Sequence, residues 1–198
     1  TAPAPESSSN SPKGIWRGLA TEDGISMPVL FAVSESGELR SLSDTGSLGT
    51  ANISWDDTQF GGVGDAYAPR GFIWAATGTR NASLSFQGEY ITESVITSNF
   101  FLGDRVRGTI SLEYDPAYEQ DSTTSLLRGQ WNLRDYVDNT DIGDIEISAS
   151  GHLSGRDGFG CVYNGLVSII DSEFNLYRVS ARVENCGSSD GFFTGLGT

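Results

Sequence analysis

Apolar and polar residues alternate along most of this chain. Met27, Val29, Phe31 and Val33 form one such run, followed by Ile53 with Trp55, and by Ala82, Leu84 and Phe86. The pattern continues through Val106, Ile110 and Leu112 and through Ile145, Ile147 and Ala149. It is less regular through Val162, Leu166, Ile170, Leu176, Val179 and Val183. A period of two with one apolar face is the signature of a half-buried antiparallel strand. Turn residues separate the runs, among them Glu35-Ser36-Gly37-Glu38, Asp44-Thr45-Gly46, Gly103-Asp104 and Ala149-Ser150-Gly151. Strands broken at this spacing predict an all-β chain of about ten strands, an antiparallel β-barrel or a barrel-like sandwich. No window carries a helical stripe, and the one helical candidate is Pro116 to Leu127. The glycine-rich run Gly61 to Tyr67 is expected to be a mobile loop.

The chain also echoes itself. Phe31 to Phe60 lies over Ile145 to Phe174 at an offset of 114 without a gap. Ser34, Ser36, Gly37, Leu39 and Gly46 fall on Ser148, Ser150, Gly151, Leu153 and Gly160, and Asp57 and Phe60 on Asp171 and Phe174. A Trp precedes each copy, in Gly14-Ile15-Trp16 and in Gly129-Gln130-Trp131. Similarity of this kind means one supersecondary unit used twice. The expected organisation is a Pro/Ser-rich disordered tether over 1–13, then a single β-barrel domain over 14–198 with repeat-related halves 14–114 and 129–198. Gly71 to Tyr114 has no echo and is read as three or four additional strands.

Composition narrows the partners. A formal charge of −14 argues against nucleic acid, whose phosphates need a basic patch, and against an anionic membrane surface. No stretch approaches the roughly 20 apolar residues that span a bilayer as a helix. The start at Thr1, without Met or an apolar signal region, is read as a mature or trimmed chain whose targeting segment lies elsewhere. Cys161 and Cys186 stand 25 apart. A disulfide is favoured over two free thiols, and a metal site is not expected because no second thiol or His lies near either one.

The C-terminal half carries an ordered set of short motifs. They are Gly129-Gln130-Trp131, the run Ile145 to Gly155, Gly160-Cys161-Val162-Tyr163-Asn164-Gly165, Asn175-Leu176-Tyr177, Cys186 and Gly191-Phe192-Phe193-Thr194-Gly195. This order, over roughly 109–197, resembles a family of secreted or lipid-anchored proteobacterial proteins of uncharacterised function. The resemblance implies an exported location, the bacterial periplasm or the outer membrane and cell surface, with a Cys161–Cys186 pairing. It implies no activity. Gly-x-Trp on a first strand is also similar to calycin-type barrels, a likeness of fold that carries no ligand with it.

Candidate chemistry is sparse. His152 is the only histidine and follows a turn glycine, where exposure rather than general-base work is expected. Asp56, Asp57 and Asp171 fall at turns, where a carboxylate bonds nearby backbone. Asp135, Asp138, Asp141 and Asp144 form the densest acidic run; a solvated loop is the expectation, with a weak Ca²⁺ site as the alternative. Trp74, in the unechoed segment, is the first aromatic to suspect at a ligand site, with Trp16 next. Catalytic residues, cofactor and resident metal are not expected. The chain reads as a non-catalytic envelope lipoprotein or exported binding protein for a small molecule, glycan or envelope protein, with membrane attachment only through a lipid anchor outside this sequence. The alternatives are a hydrolase built on acidic residues and a structural or interaction protein with a filled barrel.

Overall fold

In the computed structural model, residues 10–69, 71–74, 77–103, 105–135 and 140–198 are described. The chain divides into two compact units, Thr1–Asp115 and Pro116–Thr198. The all-β expectation holds, and a closed antiparallel barrel is present.

The first unit is that barrel. Its strands are β1 (Gly14–Glu22), β2 (Ile25–Val33), β3 (Glu38–Ser43), β4 (Leu48–Asp56), β5 (Gln59–Tyr67), β6 (Asn81–Ile91), β7 (Val95–Leu102) and β8 (Arg105–Tyr114). Each pairs with the next, and β8 pairs back onto β1, from Trp16 opposite Tyr114 to Glu22 opposite Gly108. Closure on itself leaves no sheet edge to protect. The alternating apolar residues point inward, and Trp16, Phe31, Val33, Leu39, Phe86 and Leu112 are among those forming one continuous core. Trp16 meets Tyr114 edge-on at 5.1 Å between ring centroids, and Phe31 meets Phe86 in the same manner at 5.6 Å.

One end of the barrel is plugged by chain assigned to the tether from sequence. Ser11 and Pro12 are buried. The Trp16 indole N–H donates to the Pro12 carbonyl at 3.0 Å, and the Tyr90 hydroxyl donates to the Asn10 carbonyl at 2.9 Å. The expected leader over 1–13 is therefore corrected at its end: Asn10 to Lys13 belong to the folded unit, because buried indole and phenol groups need acceptors and these carbonyls supply them. Residues 1–9 lie outside the described residues.

The expected loop Gly61 to Tyr67 is also corrected, since it is the body of β5. A Cβ at Gly64 would run into the Thr50 carbonyl on β4. Glycine here serves close strand approach rather than mobility.

The second unit begins with a short 3-10 turn, Pro116–Glu119, and one turn of helix, α1 (Thr124–Leu127). These are all that forms of the helical candidate. Six strands follow in a simple meander: β9 (Gly129–Arg134), β10 (Asp141–Ile147), β11 (His152–Asp157), β12 (Val162–Ile169), β13 (Tyr177–Glu184) and β14 (Gly191–Gly197). This sheet does not close; β9 and β14 are its two ends. Where one barrel of about ten strands over 14–198 was expected, the described residues form fourteen strands, eight closing within the first unit and six making a sheet of their own.

The echo is reproduced at atomic detail. In the first copy the Ser34 N–H donates to the Glu38 carbonyl at 2.9 Å, and the Glu38 N–H donates to the Ser34 hydroxyl at 3.1 Å. In the second, Ser148 and His152 make the same two bonds at 2.9 and 3.1 Å. Gly37 and Gly151 follow with φ of 81° and 83°, a left-handed conformation that favours glycine. Their carbonyls accept the N–H of Ile53 and of Val167, each at 2.8 Å. The next turn repeats as well: the Ser43 hydroxyl accepts the Ser47 N–H at 3.0 Å, and in its place the Asp157 carboxylate accepts the Cys161 N–H at 3.0 Å.

The correspondence is lost at the following turn. Trp55 pairs with Phe60, whereas Ile169 pairs with Tyr177. The buried equivalent of Phe60 is therefore Tyr177 rather than Phe174, because the second copy has a longer connection there. Past that loop the match resumes, with β13 in the place of β5 and β14 in the place of β6. Of the strands in the segment expected to lack an echo, β6 has a counterpart in β14, and β7 and β8 have none among the described residues.

Candidate functional site

The barrel end opposite the Trp16 plug is open and apolar. Its cavity, of about 90 Å³, is lined by Met27, Val29, Phe31, Phe86, Phe100 and Leu102 with other small and apolar residues, and Trp74 lies over it. Strand alternation places these side chains inside: Met27, Val29 and Phe31 are successive inward positions of β2, and Phe100 and Leu102 occupy β7. Trp74 sits on the connection between β5 and β6. That connection is held by the Trp74 N–H to the Thr79 carbonyl at 2.8 Å and by the Trp74 indole to the Ala66 carbonyl at 3.3 Å. The neighbouring Phe72 and Ile73 are exposed. Glu22 is the charged residue at this mouth, and it is ion-paired with Arg107.

The space is small. A liquid water occupies about 30 Å³, and pockets for drug-sized ligands run to several hundred. The mouth as it stands suits a small apolar group, or the apolar end of something larger. Trp74, the first aromatic suspected from sequence, lines this cavity. Trp16 does not, because it fills the opposite end. Phe100 and Met27 were not singled out from sequence, although the alternation of Met27, Val29 and Phe31 already placed them on one face.

A second concavity lies on the outer wall of the barrel, over the side-chain-free surface of Gly61, between Ser54, Val63, Gln87 and Phe101. It is wide and open to solvent and brings together no group of unusual chemistry.

Several of the acidic candidates make local contacts in turns and along strands. Asp57 holds a left-handed turn position with φ of 48°, and its carbonyl accepts the Asn10 side-chain amide at 2.6 Å. The Asp171 carboxylate accepts the Glu173 N–H at 3.0 Å, the turn-capping role expected of it. Asp141 is held by Arg134 at 2.9 Å, Asp144 lies along β10, and Asp138 is outside the described residues. His152 is exposed and meets the Ser150 hydroxyl at 3.0 Å within its turn. Ser150 stands where Ser36 stands in the first copy, beside Glu38 rather than a histidine, so the pair belongs to the hairpin.

Asp157 is the one carboxylate fully buried among the described residues. It accepts the Phe159 N–H at 2.9 Å, the Cys161 N–H at 3.0 Å and the Tyr163 hydroxyl at 2.8 Å. Burial, then the hydrogen bond to Asp157 and its charge, push the Tyr163 phenol up to about 12. At the barrel plug, burial and then the charges of Asp57 and Asp56 raise the Tyr90 phenol above its ordinary value. Asp157 also lies close to Cys161 and Cys186, but those two sulfurs are bonded to each other and cannot serve as thiolate ligands. The disulfide joins the residue before β12 to the segment just after β13, as the antiparallel pairing of those strands requires.

No family model, curated protein or solved structure matches this chain.

Proposed function

We propose that this chain is an exported, non-catalytic binding protein of a bacterial envelope, with its ligand seat at the mouth of the first barrel. The apolar cavity beneath Trp74 carries the reading: one end of the barrel is sealed by its own chain, while the other leaves aromatic and aliphatic side chains around a space. Such a site is concave, mostly apolar and bordered by a few polar groups. The family resemblance and the disulfide support export, since disulfides persist in oxidising compartments. The ligand class is a small apolar molecule, or a larger one inserting an apolar group of a few carbon atoms.

The test is thermal unfolding of the first unit in the presence of small apolar probes such as toluene and indole. Binding to the native state raises the melting temperature by linkage. Met27→Trp, which fills the mouth from its rim, should abolish the rise. A melting temperature unmoved by every such probe would remove this reading.

A second reading, a structural or interaction protein, is favoured by a different observation. The barrel interior is packed nearly throughout, whereas large apolar side chains stand exposed in the second unit, including Trp131, Phe159, Phe192 and Phe193.

A further inference from the structure

A charge pair stands where the barrel wall should be apolar. On β1 the inward positions run Trp16, Gly18, Ala20 and Glu22 by strand alternation, and Trp16 and Ala20 lie in the core. Glu22 ends this row and lines the cavity beneath Trp74. A carboxylate thus occupies a position that alternation assigns to the barrel interior.

Strand β8 brings a guanidinium to it through a bulge. Phe100 pairs with Gly108 and Phe101 with Val106, which leaves Arg107 as the extra residue of β8. The seam between β8 and β1 is regular from Tyr114 opposite Trp16 to Gly108 opposite Glu22, so the bulge does not serve closure. Bulges at barrel rims re-aim a side chain, and Arg107 is the one re-aimed here, onto Glu22. The two side chains are only 23% and 21% exposed, and Arg107 Nε is shut off from solvent without an acceptor. Withdrawing charges from water without completing their hydrogen bonds costs stability. The rim therefore keeps a spare donor and a carboxylate acceptor side by side, next to an apolar wall of Met27, Val29, Phe100 and Leu102.

We propose that this mouth selects amphiphiles: molecules whose apolar end enters the cavity and whose polar end, without net charge, accepts from Arg107 and donates to Glu22. An amide or a hydroxyl does both. This rests on the mouth being the ligand seat, and it narrows the ligand from apolar molecules in general to those carrying such an end. A carboxylate head would meet the like charge of Glu22 and an ammonium head that of Arg107. A neutral group that donates and accepts is matched by both members of the pair, and specificity arises from that contrast.

The test measures the melting temperature of the first unit, in the whole 198-residue chain, with four probes that share one ring: toluene, benzamide, benzoate and benzylammonium. Linkage converts each rise into an apparent affinity. Benzamide should bind at least about tenfold more tightly than toluene, and benzoate and benzylammonium more weakly than benzamide. Exchanging the pair for apolar side chains of similar length, Glu22→Met with Arg107→Met, should bring benzamide down to the level of toluene. Such an exchange is often neutral for stability, and the probe comparison on the unaltered chain decides the matter even where the double variant fails to fold. A rise with toluene that benzamide does not exceed overturns the proposal and leaves the mouth an apolar seat. Tighter binding of either charged probe than of benzamide, or a preference for benzamide that survives in the double variant, does the same. No rise with any of the four probes overturns the seat itself.

Discussion

Trp16 and Trp131 open the two copies of one design, and their surroundings differ in a single respect. Each follows a glycine in the same backbone conformation, with φ of 144° at Gly14 and 141° at Gly129. Each donates its indole N–H to the carbonyl four residues earlier, at 3.0 Å to Pro12 and 2.7 Å to Leu127. Trp16 is sealed inside a closed barrel, and Trp131 is nearly half exposed at a sheet end. Local sequence therefore sets the indole hydrogen bond, while burial depends on whether another strand arrives on the far side. The two units also use different means of stabilisation. The first has a continuous core; the second has a small cluster around Ile147, Leu153, Val167 and Tyr177 together with a disulfide. A small core in need of a covalent staple is a common solution in exported domains.

The widest gap between the copies should open when their tryptophans are truncated. Trp16→Ala is expected to destabilise the first unit by about 3–5 kcal/mol, the range for deleting a buried aromatic. Trp131→Ala should cost the second unit about 1 kcal/mol or less, since much of its ring is already in water. Denaturant titration of both variants checks this, and equal losses would mean that Trp131 is covered in solution.

Next comes the staple. Replacing Cys161 and Cys186 with Ala removes a cross-link spanning 25 residues, worth roughly 3 kcal/mol in the chain-entropy model. Calorimetry should show the transition of the second unit lowered and that of the first unmoved. A shift in both transitions would show that the two units do not unfold independently.

Gly37→Ala and Gly151→Ala probe the shared hairpin. Both place a Cβ at positive φ and against a carbonyl oxygen, of Ile53 and of Val167 respectively, so each should cost about 1–3 kcal/mol, and the two costs should be similar. Unequal losses would separate copies that the backbone geometry makes equivalent.

The smallest effect concerns pH and is read at Tyr163 in the second unit. The folded-state value for Tyr163 lies above the ordinary 10, at about 12. Its contribution to stability is therefore complete below about pH 10 and is lost as pH rises through about 12. Tyr163→Phe should cost about 1 kcal/mol at neutral pH for the lost bond to Asp157. The stability difference from the unaltered chain should then shrink across that alkaline window. A difference independent of pH up to about 12 would contradict the assignment.

The strands and the two hairpin turns were legible in the linear chain because their causes are local, and the disulfide because the chain has two cysteines. Alternation selects a face, Ser-x-x-Gly with its hydroxyl and left-handed glycine selects a turn, and an offset of 114 made those signals visible twice. The mouth was half legible: Trp74 stood out as an aromatic in the unechoed segment, whereas Phe100 enters the cavity only through its place in the barrel. Other features depended on contacts between distant parts of the chain. Asn10 to Lys13 resemble a tether until the buried Trp16 and Tyr90 recruit their carbonyls. The glycines of β5 resemble a loop until β4 packs against them. Phe174 aligns with Phe60 by count, but strand pairing gives that place to Tyr177. Closure is the clearest case. Six strands of the same pattern occur in each unit, and only the pairing of β8 with β1 makes one of them a barrel, because a strand's edge is satisfied by whichever segment reaches it in space.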